Sequence, residues 1–537
     1  MRHDVRPNRR VRRLIPLAAL AAASALVLSG CGADGTTGTT GTGSISDGGE
    51  PQTGGTLTVA LSATPSIIDP FATSLQADWV IARQVCEPLF DVSTSFEVGP
   101  VLAKDLVDNG GGSYTLTLRD GVTFQDGEPF TSADVIASLN RYFLTPGNGS
   151  ILKSLTTSIE AVDDTTLTIT LNTPSPLLPT LLTTAYMMPA SIVKDRPITD
   201  AVTDLVCTGP YKLTSYAADG DVVLDRWDGY QKLDTPGDGG LGAKNAYADQ
   251  IVFTPMPEAS TRRQATEAGQ VDIGGSLSYD DYDSVSSGGV AQAVLLSPTS
   301  GSTVVFNKAQ GIMSNVAMRQ AFLAALNMDD IMLAAFGNPE FYSVDGSIIP
   351  AVNSTWATDA GTENYNKPDL DRVKKLLDEA GYTGEPIRWL TTKEDPSWYG
   401  PSLPAQQQLK EAGINIDLQV IDRASVIQRR TDPTAFDLFS SGIPTYADPV
   451  LLPYLQQTFP GTWVSPDRDA LLSTLSTESD PAARKATWEQ LQTLVYEDLP
   501  FLKFGTSRPL LITANRVHTE HPDELAGWYY NTWLDQS

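Results

Sequence analysis

The sequence predicts an α/β protein whose folded part divides into two or more lobes, and three observations carry that prediction. From about residue 303 onward, strand-like and helix-like segments alternate at the spacing of parallel strand–helix–strand units. Before that point, short runs of period-two alternation are separated by Asp-Gly and Asp-Asp turns. Together they occupy about 480 residues, past the size at which a single hydrophobic core stops growing. A chain that is 41% hydrophobic and 8% aromatic has the composition of a globular protein.

The N-terminus reads differently from the rest. Residues 1–13 carry Arg2, Arg6, Arg9, Arg10, Arg12 and Arg13 against one acid, Asp4, and Leu14 to Gly30 carries no charge. A basic start, an apolar core and a small-residue exit form the layout of an export signal, too short and wrongly flanked for a stable membrane span. Leu28-Ser29-Gly30-Cys31 resembles the lipobox of bacterial lipoproteins, in which the cysteine thiol is acylated and becomes the first residue of the mature chain. Residues 1–30 are therefore expected to be a signal peptide and Cys31 the lipid attachment site; the alternative is a chance cysteine beside an ordinary cleavage site. The Gly/Thr/Ser run over 31–53 has almost nothing to bury and reads as a flexible tether.

Charge narrows the partners. Lys and Arg number 37 and Asp and Glu 64, for a net −27; removing residues 1–30 takes away six arginines and one aspartate, leaving 31 against 63, or −32. Nucleic acid and anionic lipid both want a basic face, so neither is an expected partner. After Leu28 no uncharged apolar run approaches the length of a membrane span. With Cys31 acylated, Cys86 and Cys207 remain, an even number in an oxidising compartment.

In the first half, Thr56 to Leu61, Ser113 to Arg119 and Thr165 to Leu171 alternate as strands, with Leu167, Ile169 and Leu171 on one face. Thr131-Ser-Ala-Asp134 is a capping-box-like start for a helix with Val135, Ile136, Leu139 and Tyr142 as its apolar stripe. The Gly, Pro and Asp residues from Asp234 to Gly242 read as an exposed loop. In the second half, Val304 to Asn307 reads as a strand, and Ser314 or Asn315 caps a helix. Asp369 opens another helix that stops at Gly381. Ile387 to Leu390, Ile414 to Ile421 and Phe436 to Phe439 read as strands with helices between them, which makes a right-handed layer with parallel pairs.

These phrases resemble the extracytoplasmic solute-binding proteins of ABC importers, in the class that includes peptide and nickel binders. The resemblance rests on Gly54-Gly-Thr-Leu-Thr-Val, Ile68-Asp69-Pro70, Glu87-Pro-Leu, the run Leu118 to Val135, Thr208-Gly-Pro-Tyr211, Phe306-Asn307 and Ala317 to Phe322, in that order. It implies a bilobal, periplasmic-binding-protein-like clamp with a third, smaller domain inserted in the first lobe. Its expected boundaries are lobe I over 54–88, the insertion over 89–206, lobe I again over 207–302, lobe II over 303–500 and a return to lobe I over 501–537. It also implies a monomer that captures a small solute or short peptide in the cleft and delivers it to membrane permease subunits. Closure and affinity are then one coupling, because a ligand shifts the equilibrium only by touching both lobes. Where the insertion leaves and rejoins lobe I, Cys86 and Cys207 are expected to form a disulfide; the competing reading is two buried thiols.

Catalytic signatures are missing from the sequence. No G-x-S-x-G occurs, and Gly237 to Gly242, which formally fits G-x-G-x-x-G, follows no apolar strand. His518 and His521 have no accompanying cysteine or carboxylate cluster and read as part of a solvated turn, so no metal or other cofactor is expected. The expected function is a substrate-binding lipoprotein that takes a peptide or peptide-like solute, and not an enzyme. A lipid-anchored sensor or chaperone on the same clamp, or a secreted hydrolase, is the alternative.

The ligand region departs from oligopeptide binders, where a carboxylate just before a D/E-P step takes the peptide ammonium. In Ser441 to Pro449 that position holds Thr445, and the expected tryptophan before it is Gly442; an aromatic usual in the preceding strand–helix loop falls at Ala424. Asp448 reads as a turn former. The binding candidates are therefore Ser74, Gln76, Trp398, Thr445, Tyr446 and Trp463, with ordinary packing as the competing reading for each.

Overall fold

Two large sheets, a four-stranded sheet and two two-stranded ribbons organise the described residues of the protein, seen in a computed structural model that describes residues 49–73, 75–217 and 220–535. The export signal, Cys31, most of the tether and Ser74 lie outside the described residues.

The first large sheet has seven strands in the order Ala291–Leu295, Leu510–Ala514, Ile273–Ser276, Thr56–Leu61, Gln250–Pro255, Val222–Arg226 and Tyr211–Tyr216. Thr56–Leu61 runs parallel to both of its neighbours, with Val59 opposite Phe253 on one side and Ile273 on the other. Its period-two pattern is realised as burial of Leu57, Val59 and Leu61.

Between Val85 and Tyr211 the chain builds an antiparallel four-stranded sheet in the order Ala103–Gly110, Ser113–Leu118, Thr166–Leu171 and Thr156–Ala161. Leu167, Ile169 and Leu171 all face inward. Helix Ser132–Tyr142 packs near this sheet and begins with a reciprocal cap: the Thr131 amide donates to Asp134 Oδ2 at 2.8 Å, while the Thr131 side chain accepts from the Asp134 amide. The insertion and the first lobe share one continuous core, which joins Leu57 and Ile81 to Leu116, Leu139 and Leu167.

The second large sheet has six strands in the order Tyr342–Ser343, Phe501–Ser507, Ser300–Phe306, Leu438–Pro444, Ile387–Thr391 and Ile416–Val420. The last three are mutually parallel, as their intervening helices Ser402–Glu411 and Arg423–Arg429 require. Alternation along these strands sends Val304, Trp389 and Leu438 to one core and Val305, Leu390 and Phe439 to another on the opposite face. Helix ends follow local chemistry. Asn315 Oδ1 accepts from the Ala317 amide at 2.9 Å, Asp369 Oδ1 accepts from the Arg372 amide at 2.9 Å, and Gly381 closes helix Leu370–Ala380 at φ +68°.

Strand pairing places the two crossings between the sheets at residues 296–299 and at Arg508–Pro509. Phe501–Ser507, which the sequence assigned to the return into lobe I, pairs with Ser300–Phe306 and belongs to the six-stranded sheet. Two other expectations change. The second half of the Asp234–Gly242 loop is not exposed: Gly240 donates to the Val92 carbonyl at 2.8 Å, and a Cβ there would meet the Asp91 carboxylate at 2.2 Å. His518 is buried in strand Val517–Thr519, 2.9 Å from Asp535 and stacked on Trp533, rather than in a solvated turn.

The same loop meets a buried acid. Glu524 Oε1 accepts from the Gly239 amide at 3.0 Å and from Asn531 at 3.3 Å, yet burial pushes its carboxyl up to about 7 from an ordinary 4.5. The folded state thus holds this proton more tightly than the unfolded chain. The resulting stability is fully present below about pH 4.5 and is lost as pH rises through about 7. Glu524→Gln keeps the acceptor and removes the titration. We expect it to be more stable than the wild type by about 2 kcal/mol at pH 8 and to gain nothing at pH 4.5, as read by urea denaturation at the two pH values.

Candidate functional site

Open α/β sheets carry their ligands beyond the carboxyl ends of their parallel strands, where adjacent loops diverge. In the six-stranded sheet those ends lead from Thr391 toward Trp398, from Val420 to Arg423, and from Pro444 into Thr445–Asp448. Four anchors hold this last loop. Thr445 donates its amide (3.0 Å) and its hydroxyl (2.7 Å) to the Thr299 carbonyl at the first crossing. Asn353 Nδ2 donates to the Tyr446 carbonyl at 3.0 Å, and Trp356 Nε1 donates to the Ala447 carbonyl at 2.8 Å. Asp448, buried, accepts from Arg484 at 2.7 Å and from the Val450 amide at 3.0 Å. Burial raises the Asp448 carboxyl above the usual aspartate range, and Arg484 pulls it partly back. Asp448 is thus sealed from solvent and already paired with a cation, so it is not presented to a ligand ammonium.

The loop presents Tyr446 to a cavity of about 620 Å³ that also takes in Asn148 and Ile151 from the insertion and Val450, Leu451 and Leu472 from lobe II. Tyr446 is half-buried, and desolvation raises its hydroxyl above the ordinary value. Beside the cavity the two bodies touch directly: Ser175 Oγ donates to the Ser476 carbonyl at 2.8 Å, and Val450 and Leu451 pack on the core of the first lobe and its insertion. A second cavity of about 620 Å³ lies wholly within the insertion, between helix Ser132–Tyr142 and residues 190–197. A solute there would touch one body only and could not couple binding to closure.

The remaining candidates scatter. Trp398 is buried at the strand edge, and a Cβ on Gly442 would lie 3.3 Å from its Nε1, so the indole of Trp398 occupies the space beside Gly442. Gln76 is the exposed first residue of helix Gln76–Val85. Trp463 is in a different place: its Nε1 donates to Asp498 at 2.9 Å, and it lines a separate cavity of about 340 Å³ with Lys308 and Arg319. The Arg319 guanidinium there is pushed down by burial to about 10 while donating to the Asp498 carbonyl that ends helix Pro481–Asp498. The structure therefore gathers Trp398, Thr445 and Tyr446 at one sheet edge and leaves Trp463 out. Sequence reasoning missed Arg484, Asn353, Trp356 and Arg423, because nothing near each of them in sequence marks a partner between 25 and 93 residues away.

Among the described residues, no group of three His, Cys, Asp or Glu side chains is placed to hold a metal ion, and no helix is long and apolar enough to cross a membrane. The family model described as bacterial extracellular solute-binding proteins, family 5 Middle, matches residues 97–463. The chain belongs to this family. A probable peptide ABC transporter periplasmic-binding protein, y4tO of Sinorhizobium fredii, is 28% identical over 384 residues, 69% of this chain and 71% of its own. The glutathione-binding protein GsiB of Escherichia coli K12 is 24% identical over 497 residues, 88% of this chain and 91% of its own. Two solved structures share the family-5 fold. The substrate-binding protein CtaP of Listeria monocytogenes has a TM-score of 0.79 at 22% identity, covering 90% of this chain and 100% of that one. The oligopeptide-binding protein AppA of Bacillus subtilis, in complex with a nonapeptide, has a TM-score of 0.73 at 18% identity, covering 91% and 100%. Family-5 members are extracytoplasmic solute-capture proteins, and the two-sheet clamp with its inserted domain is their fold.

Proposed function

We propose that this protein is a lipid-anchored binding protein that captures a peptide or peptide-like solute outside the cell membrane and hands it to an ABC permease by closing its clamp. The observation that carries this reading is the cavity shared by Tyr446 on lobe II and Ile151 on the insertion, because only a site with walls on both bodies converts affinity into closure. Names among the relatives support the ligand class, and the Leu-Ser-Gly-Cys31 sequence supports the anchor. Acyl chains contribute about 0.8 kcal/mol per buried methylene, so more than one chain on Cys31 would hold the protein stably. Thr445 and Asp448 are both engaged within the protein, which favours solutes that do not rely on a free ammonium.

One experiment tests both halves. The Cys31→Ala variant, expressed with its own signal, should leave the membrane fraction and yield detergent-free protein. In native mass spectrometry that protein should carry a solute of a few hundred daltons, released on denaturation. Unchanged membrane attachment would overturn the anchor. A bare protein that also fails to bind a mixed tripeptide set, free or N-acetylated, would overturn solute capture.

A further inference from the structure

We infer that the solute carries an acidic group and that Arg423 receives it; the inference rests on the proposed binding function and specifies its ligand. Arg423 begins helix Arg423–Arg429 at the carboxyl end of strand Ile416–Val420, on the same sheet edge as Trp398 and Tyr446. Its guanidinium carbon lies 5.2 Å from the Trp398 ring centre, and the residue is exposed to solvent. Among the described residues it has no ion pair and no side-chain hydrogen bond.

Two of the acids beside it are each hydrogen-bonded to a neighbouring serine. Asp422 accepts from the Ser425 amide at 2.8 Å and from the Ser425 hydroxyl at 2.6 Å, and Asp395 accepts from Ser397 in the same way at 3.1 and 2.6 Å. A second cation, Lys393, sits 5.4 Å from the ring centre of Tyr399, the residue after Trp398. Glu394 is exposed beside Lys393, so this edge carries acids as well as the two cations; what sets Arg423 apart is an indole-backed guanidinium without an ion pair among the described residues.

The indole does two physical things for the guanidinium. It removes water from one face of a weakly hydrated planar cation, and it holds that plane in one orientation, so the N–H fork loses little freedom on meeting a carboxylate. A bidentate carboxylate is the group that matches this fork. Specificity thus falls on the acidic end of the solute, where oligopeptide binders use an acid to hold the amino end.

Calorimetric titration with one set of N-acetyl tripeptides, prepared as free acids and as C-terminal amides, tests this. The acids should bind at least tenfold more tightly than the amides. Arg423→Gln should bring the acids down to the level of the amides while leaving the amides unchanged, and Arg423→Lys should restore part of the gap by returning charge without the fork. Equal binding of acids and amides, or a gap that survives Arg423→Gln, would overturn the acid site and leave solute binding intact. Failure of both forms to bind, with no solute retained from cells, would remove the binding function and this inference together.

Discussion

Replacing Cys86 and Cys207 together by alanine is expected to lower the unfolding free energy by about 4–5 kcal/mol, the chain-entropy value for a loop of this length. The two cysteines are joined across 121 residues, with Cα atoms 4.8 Å apart, at the point where the insertion leaves and rejoins the first lobe. Their surroundings are already tied: Gln125 Nε2 donates to the carbonyls of Gly209 (3.1 Å) and Tyr211 (2.6 Å), and the Cys207 amide donates to Gln125 Oε1 at 3.3 Å. Gly209 lets the returning chain approach the end of helix Gln76–Val85, since a Cβ there would lie 2.5 Å from the Val85 carbonyl oxygen. Both sulfurs are fully buried, so the loss falls on the unfolded chain's freedom rather than on exposed surface. Urea denaturation of the double variant beside wild-type protein, with and without reductant, gives the difference. Reduced wild type should approach the variant, and two free thiols in denatured, unreduced, exported protein would show that no bridge had formed.

The second large effect is expected at Asp69 and Arg141. Asp69 receives Arg141 through two hydrogen bonds, Nη1 to Oδ1 at 2.9 Å and Nη2 to Oδ2 at 2.5 Å, and both side chains are sealed from solvent. The same carboxylate accepts the amides of Phe71 at 3.0 Å and Val202 at 2.8 Å. Asp69→Ala leaves a buried guanidinium without its acid and two amides without acceptors, a loss of about 3–5 kcal/mol. Arg141→Met should lose a similar amount by leaving the acid unpaired. The double variant removes both charges, so its loss should fall well short of the sum of the singles in a denaturation cycle. Additive losses would mean that the two residues act independently. Because Arg141 lies in the last turn of the capped helix of the insertion and Asp69 sits in the loop after the first strand of lobe I, the pair also fixes how the insertion is seated.

Both effects sit on motifs that the sequence displayed without explaining. Ile68-Asp69-Pro70 was legible as a phrase, but its partner Arg141 is 72 residues away. Glu87-Pro-Leu likewise marks a buried knot, where Glu87 accepts from Lys244 at 3.0 Å, Thr208 at 3.0 Å and Tyr230 at 2.8 Å. A local pattern records which face a residue turns inward. It does not record which distant charge will be waiting there.

What the sequence determined by itself is what depends on neighbours within one element. The alternation of Thr56–Leu61 and Thr166–Leu171, the Thr131–Asp134 cap, and the Asp369 start and Gly381 stop follow from side-chain periodicity and backbone preference, and the parallel pairing of the strands at 387, 416 and 438 follows from the helical connections between them. Only the tertiary structure decided that Phe501–Ser507 joins the second sheet, that His518 is buried, that Trp463 lies apart from Tyr446, and that Asp448 is held by Arg484. Each of these depends on contacts between segments distant in the chain. Such contacts form because burial leaves no other partner for a strand edge, a ring or a charge, and no stretch of a dozen residues contains that information.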